Sequence, residues 1–156
     1  MKKAVYAGTF RPFHNGHLAI IKRAARTFDK LIIGVGTNPD KPEVVCRSLR
    51  PIEESVKSLK NVEVKDFNSL LVDFAHDNGA NFLIRGLRAV SDFDYEFQMS
   101  IMNKKLDRRI DTVFFMAPLK YMFLSSTIIR GVLKSGGDVK DLVPEPIYNY
   151  LLENSL

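Results

Sequence analysis

The chain has 156 residues, 46% of them hydrophobic, and a formal net charge of +5, which predicts one domain, residues 1–156, around a hydrophobic core. Its single cysteine, Cys46, excludes an intramolecular disulfide and a multi-cysteine metal site. No apolar run approaches the roughly 20 residues of a membrane span, and the first residues lack the apolar stretch of a secretory signal. We therefore expect a soluble, cytoplasmic protein with no membrane partner.

Apolar, strand-like runs alternate with amphipathic patterns along the chain. The predicted strands are 3–7, 30–36, 61–67, 80–85 and 111–117, and the predicted helices are about 17–28, 51–60, 70–78, 92–106, 126–134 and 144–153. Such alternation indicates an α/β fold, a Rossmann-like doubly wound parallel sheet with helices on both faces. Ligands of such sheets bind at the carboxyl ends of the strands, near a topological switch point.

The first predicted strand leads into the segment Gly8-Thr9-Phe10-Arg11-Pro12-Phe13-His14-Asn15-Gly16-His17. It reads as a glycine-containing turn followed by a helix with two imidazoles at its start. The unpaired N–H groups and positive dipole end of a helix N-terminus suit phosphate. Imidazoles beside it can donate hydrogen bonds to phosphate oxygens as charge develops during a reaction. The alternative is that His14 and His17 are ordinary polar residues at a helix start.

Two arginines flank a glycine after the fourth predicted strand, in Arg85-Gly86-Leu87-Arg88. Glycine lets a ligand approach the backbone, and guanidinium groups bind phosphate oxygens in pairs. These four residues alone fit a phosphate clamp and a surface turn equally well.

Three consecutive hydroxyl residues, Ser125, Ser126 and Thr127, stand at the predicted start of helix 126–134. One of them is expected to be the N-cap. Because a cap needs only one hydroxyl, three also suit a triphosphate at the helix start. Arg130 follows about one turn later and is predicted to face the same way.

The acids Asp92, Asp94 and Glu96 do not share one helix face, so we expect no metal site built by the protein there. Asp92 is predicted to cap the helix instead, with Tyr95 and Glu96 at the edge of the pocket. His76 is expected to be a surface residue, and Cys46 to have no chemical role.

The positive charge is concentrated in residues 1–50, which hold 10 Lys/Arg against 3 Asp/Glu. A basic patch can bind nucleic acid. Here, however, the bases are spread along a helix and a loop, without an aromatic-interleaved basic strand or a helix-turn-helix pattern. Small anionic substrates are therefore favoured, and no nucleic-acid partner is expected.

Taken in order, these motifs resemble the phosphopantetheine adenylyltransferase family of nucleotidyltransferases over nearly the whole chain. The opening motif is shared across the superfamily, whereas residues 85–93 and Tyr95-Glu96-Phe97-Gln98-Met99 point to this family. The resemblance implies transfer of AMP from ATP to 4′-phosphopantetheine by direct in-line attack on the α-phosphate, giving dephospho-coenzyme A and pyrophosphate. It also implies Mg²⁺ with ATP as co-substrate, and a homohexamer.

The resemblance assigns roles position by position. His17 would stabilise the α-phosphate, Thr9 would orient the attacking phosphate, and Lys41 with Arg85 would hold the 4′-phosphate. The implied catalytic residues are Thr9, His17, Lys41 and Arg88; the implied ATP-binding residues are Thr9, Phe10, His14, His17, Gly86, Leu87, Arg88, Glu96, Tyr121, Ser125, Ser126 and Thr127; and the implied phosphopantetheine-binding residues are Thr9, Lys41, Leu71 and Arg85.

The chain departs from the family pattern at three places. Arg11 stands at a usually acidic position, His14 stands where threonine is more common, and the loop from Pro42 to Pro51 differs in sequence. Two other functions stay open at this stage. One is a nucleotidyltransferase for nicotinate mononucleotide or a phospho-alcohol, and the other is a nucleotide-binding protein without catalysis.

Overall fold

The computed structural model describes residues 1–37 and 48–154. The strands are β1 (Lys3–Gly8), β2 (Lys30–Gly36), β3 (Val62–Phe67), β4 (Phe82–Leu87) and β5 (Asp111–Met116). The helices are α1 (Asn15–Thr27), α2 (Arg50–Val56), α3 (Leu71–Asp77), α4 (Val90–Leu106), α5 (Ser126–Lys134) and α6 (Glu145–Glu153), with a 3₁₀ turn at Leu119–Tyr121. Within the described ranges, no helix combines the length and apolar character needed to cross a membrane.

The five strands form one parallel sheet in the order β3-β2-β1-β4-β5. In the central strand β1, Tyr6 pairs with Ile33 of β2 on one side and with Ile84 of β4 on the other. The chain builds outward from β1 to β3, then returns to build from β4 to β5. This reversal makes a topological switch point between β1 and β4, where a crevice opens at the carboxyl ends of the strands. The predicted doubly wound parallel sheet is confirmed.

Both faces of the sheet are covered, as the alternating side chains of β1 show. Ala4 and Tyr6 lie in a core that includes residues of α1, α5 and α6, whereas Val5 and Ala7 lie in a second core with Phe74 of α3. Successive strand side chains point to opposite faces, so β1 is buried on both sides.

The predicted end of β4 and the predicted limits of α1 and α2 are corrected by the structure. β4 continues to Leu87, because residues 85–87 pair with β5. The arginine–glycine segment therefore starts inside the strand rather than after it. α1 begins at Asn15, two residues earlier than predicted, because the His14 side chain caps it. α2 ends at Val56, where the chain turns toward β3.

The predicted N-cap role of Asp92 is wrong. Ala89 has the extended backbone of the cap position, and α4 begins at Val90. Asp92 lies in the first helical turn, where its carboxylate accepts the backbone N–H of Arg88 at 3.2 Å. The acid therefore still satisfies a donor at the helix start, but from inside the helix.

Gly34 of β2 makes room for two stacked rings. Phe67 and Phe74 stack with centroids 4.4 Å apart, and a Cβ on Gly34 would lie 2.8 Å from Phe74 Cε1 and 3.1 Å from Phe67 Cε1. We expect Gly34→Ala to lower the free energy of unfolding by about 1–3 kcal/mol, the usual cost of overpacking a core. Urea unfolding at neutral pH measures it.

Gly36→Ala is the matched control in the same strand. A Cβ there would meet the Phe67 ring at 3.5 Å, an ordinary contact, so the stability should change by less than about 1 kcal/mol. Equal effects of the two substitutions would contradict the packing argument.

Candidate active site

A cavity of about 310 Å³ lies at the carboxyl ends of β1 and β4, at the switch point. Its walls come from the end of β1 and the following turn, the start of α1, the end of β4 and the segment that enters α5. The lining residues are Tyr6, Ala7, Gly8, Thr9, Phe10, His14, Gly16, His17, Ile20, Arg85, Gly86, Arg88, Ala117, Tyr121, Leu124, Ser125 and Ser126.

The turn after β1 has an unusual backbone at Phe10, which has φ = +48°. This conformation is rare for a bulky residue and needs support from its surroundings. The Phe10 ring is buried, meets the His17 ring edge-on with centroids 4.9 Å apart, and approaches Gly8 so closely that a Cβ there would lie 3.1 Å away. Packing of the Phe10 side chain therefore holds the turn that lines the cavity.

Two side chains of α5 hold the same segment by hydrogen bonds from the other side. The Ser126 hydroxyl donates to the carbonyl oxygen of Pro12 at 2.9 Å, and Arg130 Nη1 donates to that of Arg11 at 2.6 Å. Arg130 Nη2 also donates to Thr127 Oγ1 at 3.3 Å, so the predicted proximity of these two side chains is confirmed.

Two imidazoles stack at the start of α1. His14 Nδ1 accepts the backbone N–H groups of Gly16 (3.1 Å) and His17 (3.4 Å), and His17 Nδ1 accepts that of His14 (3.1 Å). The ring centroids are 3.6 Å apart, and a Cβ on Gly16 would lie 2.9 Å from the His14 ring. Because each Nδ1 is an acceptor, a neutral ring carries its proton on Nε2.

Both rings are neutral at pH 7. Burial, followed by the charge of Arg88, lowers the pKa of His14 to about 4. Burial also lowers the pKa of His17 well below its ordinary value, and His14, Arg88 and Arg85 add to this effect. Each ring is therefore a neutral hydrogen-bond donor through Nε2–H rather than a base, which suits contact with phosphate oxygens.

The backbone N–H groups at the start of α1 are occupied, so the prediction of open donors there is wrong. The Asn15 N–H donates to Leu142 O at 2.9 Å, and those of Gly16 and His17 donate to His14. What α1 offers an anion is its dipole and the imidazoles.

The start of α5, in contrast, has backbone N–H groups that are open to a ligand. Ser125 is the N-cap, and its hydroxyl accepts the Ile128 N–H at 3.1 Å, which confirms the predicted cap. The N–H groups of Ser126 and Thr127 have no partner within residues 1–37 and 48–154. Together with the dipole, they make this helix start suited to anions.

Each arginine of the predicted clamp is held by a carboxylate of α4. Arg85 Nε and Nη2 donate to Glu96 at 2.7 Å each, and Nη1 donates to Ala7 O at 3.1 Å. Arg88 Nε and Nη2 donate to Asp92 at 3.2 and 3.4 Å, and Nη1 donates to Leu124 O at 3.2 Å. Both arginines reach the cavity already oriented.

Most of the implied site residues meet in this cavity. Those in its lining are Thr9, Phe10, His14, His17, Arg85, Gly86, Arg88, Tyr121, Ser125 and Ser126. Leu87 and Thr127 adjoin lining residues in the chain without lining the cavity, Glu96 contacts Arg85, and Leu71 packs in the core on the α3 face. Lys41, Cys46 and most of the divergent loop lie outside the described residues.

Among the larger side chains of the cavity wall, sequence reasoning missed Tyr6 and Ile20. Ile20 lies one turn after His17, so helical spacing could have found it. Tyr6 is the one polar side chain in an otherwise apolar run of β1. Burial raises the pKa of the Tyr6 phenol, so it stays protonated and can donate into the cavity.

The residues that the structure describes give the cavity no protein ligand set for a divalent cation. Its lining contains no carboxylate, and no group of three metal-binding side chains occurs in the described part of the chain. The side chains of the lining that could contact a metal ion are hydroxyls and imidazoles. Mg²⁺ prefers phosphate oxygens and water to these groups.

Comparison with known proteins gives a consistent result. Residues 5–132 match the cytidylyltransferase-like family. The chain is 49% identical over 147 residues to phosphopantetheine adenylyltransferase of Nautilia profundicola, covering 93% of this chain and 96% of that protein. It is 50% identical over 149 residues to the same-named protein of Clostridium kluyveri, covering 94% and 91%.

Among solved structures, the fold is similar to a crystal structure assigned to a nicotinate-nucleotide adenylyltransferase of Vibrio parahaemolyticus. The TM-score is 0.73, the identity 20%, and the match covers 98% of this chain and 93% of the other. At this identity the match supports the fold alone.

The depressed pKa of His14 predicts a pH dependence of stability. The unfolded histidine titrates near 6.5 and the folded one near 4, so the unfolded state binds more protons between these values. His14 therefore contributes stability that is present above about pH 6.5 and is lost as the pH falls toward 4. His14→Ser keeps an N-cap. Between pH 7 and pH 5, we expect the free energy of unfolding to fall by about 2 kcal/mol less in this variant than in the wild type.

Urea unfolding of wild type and variant at both pH values measures this difference. His76→Ser, which removes an exposed histidine of α3, is the control. The same pH dependence in His14→Ser as in the wild type would contradict the assignment of a buried, neutral His14.

Proposed function

Because the chain belongs to the phosphopantetheine adenylyltransferase family of cytidylyltransferase-like proteins, we propose that it transfers AMP from ATP to 4′-phosphopantetheine. The products are dephospho-coenzyme A and pyrophosphate, so the reaction belongs to coenzyme A synthesis. One observation carries the proposal: two arginines, two neutral imidazoles and an open helix start converge on one cavity. We also propose that residues 1–156 act as a single domain in the cytoplasm, where ATP is available.

The reaction needs no nucleophile from the protein. An oxygen of the 4′-phosphate attacks the α-phosphorus of ATP, a new P–O bond forms, and the bond from the α-phosphorus to the bridging oxygen breaks. Pyrophosphate leaves with that electron pair. The protein's contribution is to hold two polyanions in line and to stabilise the charge on the five-coordinate phosphorus.

His17 is the proposed stabiliser of that phosphorus. Its neutral ring and occupied Nδ1 leave Nε2–H as a donor for a non-bridging oxygen of the α-phosphate. Thr9, from the supported turn, orients the attacking phosphate, and Phe10 lies where the two substrates meet. His14, one stacking distance from His17, donates toward the triphosphate.

Each of the two arginines binds a different substrate. Arg85, assisted by Lys41, holds the 4′-phosphate, and Leu71 contacts the pantetheine arm. Arg88 neutralises the ATP phosphates and contributes to catalysis. Gly86 and Leu87 lie against the nucleotide, as does the stretch from Tyr121 to Thr127, whose open N–H groups at the start of α5 receive the triphosphate. The ATP phosphate oxygens and water would hold Mg²⁺, which would offset the charge of the phosphates.

The outward face of α4 supports self-association. Its exposed apolar side chains are Val90, Phe93, Tyr95, Phe97, Met99, Ile101, Met102 and Leu106, an unusual exposure for a protein surface. A second copy of the chain is the proposed cover, and the family resemblance sets the proposed number at six.

Pyrophosphate release tests the reaction and the substrate together. With ATP and Mg²⁺, we expect release when 4′-phosphopantetheine is added and none when nicotinate mononucleotide is added in its place. EDTA should reduce the rate to background, because the chelator removes the ion that arrives on ATP.

Release with the mononucleotide alone would contradict the substrate but keep the mechanism. If folded protein that still binds ATP releases no pyrophosphate with either substrate, the result would favour a nucleotide-binding protein without catalysis.

The His17→Ala substitution tests the role of the Nε2–H donor. We expect kcat to fall by a factor of about 10²–10³, the usual effect of removing one donor to a developing oxyanion. His76→Ala serves as the control, and circular dichroism establishes that both variants are folded. A folded His17→Ala protein within threefold of the wild-type kcat would refute the role.

A further inference from the structure

The inward face of α4 is polar, whereas most of its apolar side chains are exposed; Phe93 also meets the Phe114 ring of β5, with centroids 6.0 Å apart. Asp92, Glu96 and Ser100, spaced one turn apart, are partly buried, and Asn103 is buried. Residues four apart share a helix face, so Asp92 and Glu96 point together toward the end of β4. Each meets one arginine of the cavity.

The two ion pairs follow the same plan. In each arginine, Nε and Nη2 bind a carboxylate of α4, and Nη1 binds a backbone carbonyl, that of Ala7 for Arg85 and that of Leu124 for Arg88. A guanidinium has five N–H donors in a fixed plane. Three are used, so one N–H on each terminal nitrogen remains for a ligand, and its direction is set by the carboxylate.

The pairs differ in strength. The Arg85–Glu96 contacts are both 2.7 Å, and the Glu96 side chain is 12% exposed. The Arg88–Asp92 contacts are 3.2 and 3.4 Å, and the Asp92 side chain is 27% exposed. A shorter, more buried, two-point pair fixes its partner more firmly.

We infer that Glu96 and Asp92 are positioning residues that fix the phosphate-binding arginines, Glu96 acting through Arg85 on phosphopantetheine and Asp92 acting through Arg88 on ATP. This inference rests on the proposed function, which gives each arginine its substrate. It assigns Glu96 an indirect role instead of a direct contact with ATP, because each of its carboxylate oxygens accepts an N–H of Arg85 at 2.7 Å.

Calorimetric titration without turnover tests the inference, with 4′-phosphopantetheine and a non-hydrolysable ATP analogue as separate ligands. Glu96→Gln preserves the shape of the side chain and removes its charge. We expect it to weaken phosphopantetheine binding about 10- to 100-fold, the usual effect of a misplaced binding group, and to change binding of the ATP analogue less than threefold. Asp92→Asn should show the reverse selectivity with a smaller effect.

Asp94→Asn is the matched control, because Asp94 lies between the two acids on α4 and is exposed; both affinities should stay at the wild-type value. Glu96→Asp keeps the charge on a shorter side chain and should fall between wild type and Glu96→Gln. It also provides the test if the Gln variant does not fold.

A double substitution separates positioning from direct contact. In an Arg85→Ala background, Glu96→Gln should weaken phosphopantetheine binding no further, since a residue that acts only through Arg85 has nothing left to orient. Weaker binding of the ATP analogue by Glu96→Gln, with phosphopantetheine unaffected, would overturn the inference in favour of a direct contact. Affinities equal to those of Asp94→Asn would also overturn it.

Pyrophosphate release by the wild-type protein tests the proposed function separately from the binding measurements. A wild-type protein that binds both ligands but releases no pyrophosphate would refute the function, while Glu96-dependent affinity would still support positioning. Wild-type protein that does not bind phosphopantetheine would overturn both.

Discussion

The reversal of strand order at the β1–β4 pair is the constraint on which the site depends. Both are interior, parallel strands, so their carboxyl ends lie side by side at one edge of the sheet. The chain leaves β1 toward one edge and β4 toward the other, and the space between them stays open. A turn with a rare backbone at Phe10 and two arginines can therefore be held at fixed separations by hydrogen bonds from α5 and α4.

Within that frame, the electrostatics favour anions without relying on charged histidines. Burial keeps both imidazoles neutral, so among the described residues the positive charge in the cavity lining comes from Arg85 and Arg88. Each arginine has a carboxylate partner, which lowers the net charge but fixes direction. For the proposed reaction between two polyanions, direction matters as much as charge, because the proposed in-line attack needs the attacking oxygen opposite the leaving group.

Much of this arrangement could be predicted from the sequence, since it depends on local signals. Alternating apolar runs and amphipathic helices predict the sheet, and consecutive hydroxyls predict the Ser125 cap. The capping role of His14 could not be predicted, because histidine is not a favoured cap residue. Its ring accepts hydrogen bonds from the N–H groups that were expected to be open. The Arg85–Glu96 pair joins a strand to a helix, so only the packing of α4 reveals it.

The unusual polarity of α4 follows from the same packing. A helix usually docks through an apolar face, but the inward positions of α4 are Asp92, Glu96, Ser100 and Asn103. Its start is therefore held against the sheet by two ion pairs to β4 and the following residue and by the contact of Phe93 with Phe114, while most of its apolar side chains are exposed. In the proposed hexamer those outward side chains would be covered by another copy. The helix that orients the arginines would then be held from both sides, which ties the precision of the cavity to the assembly.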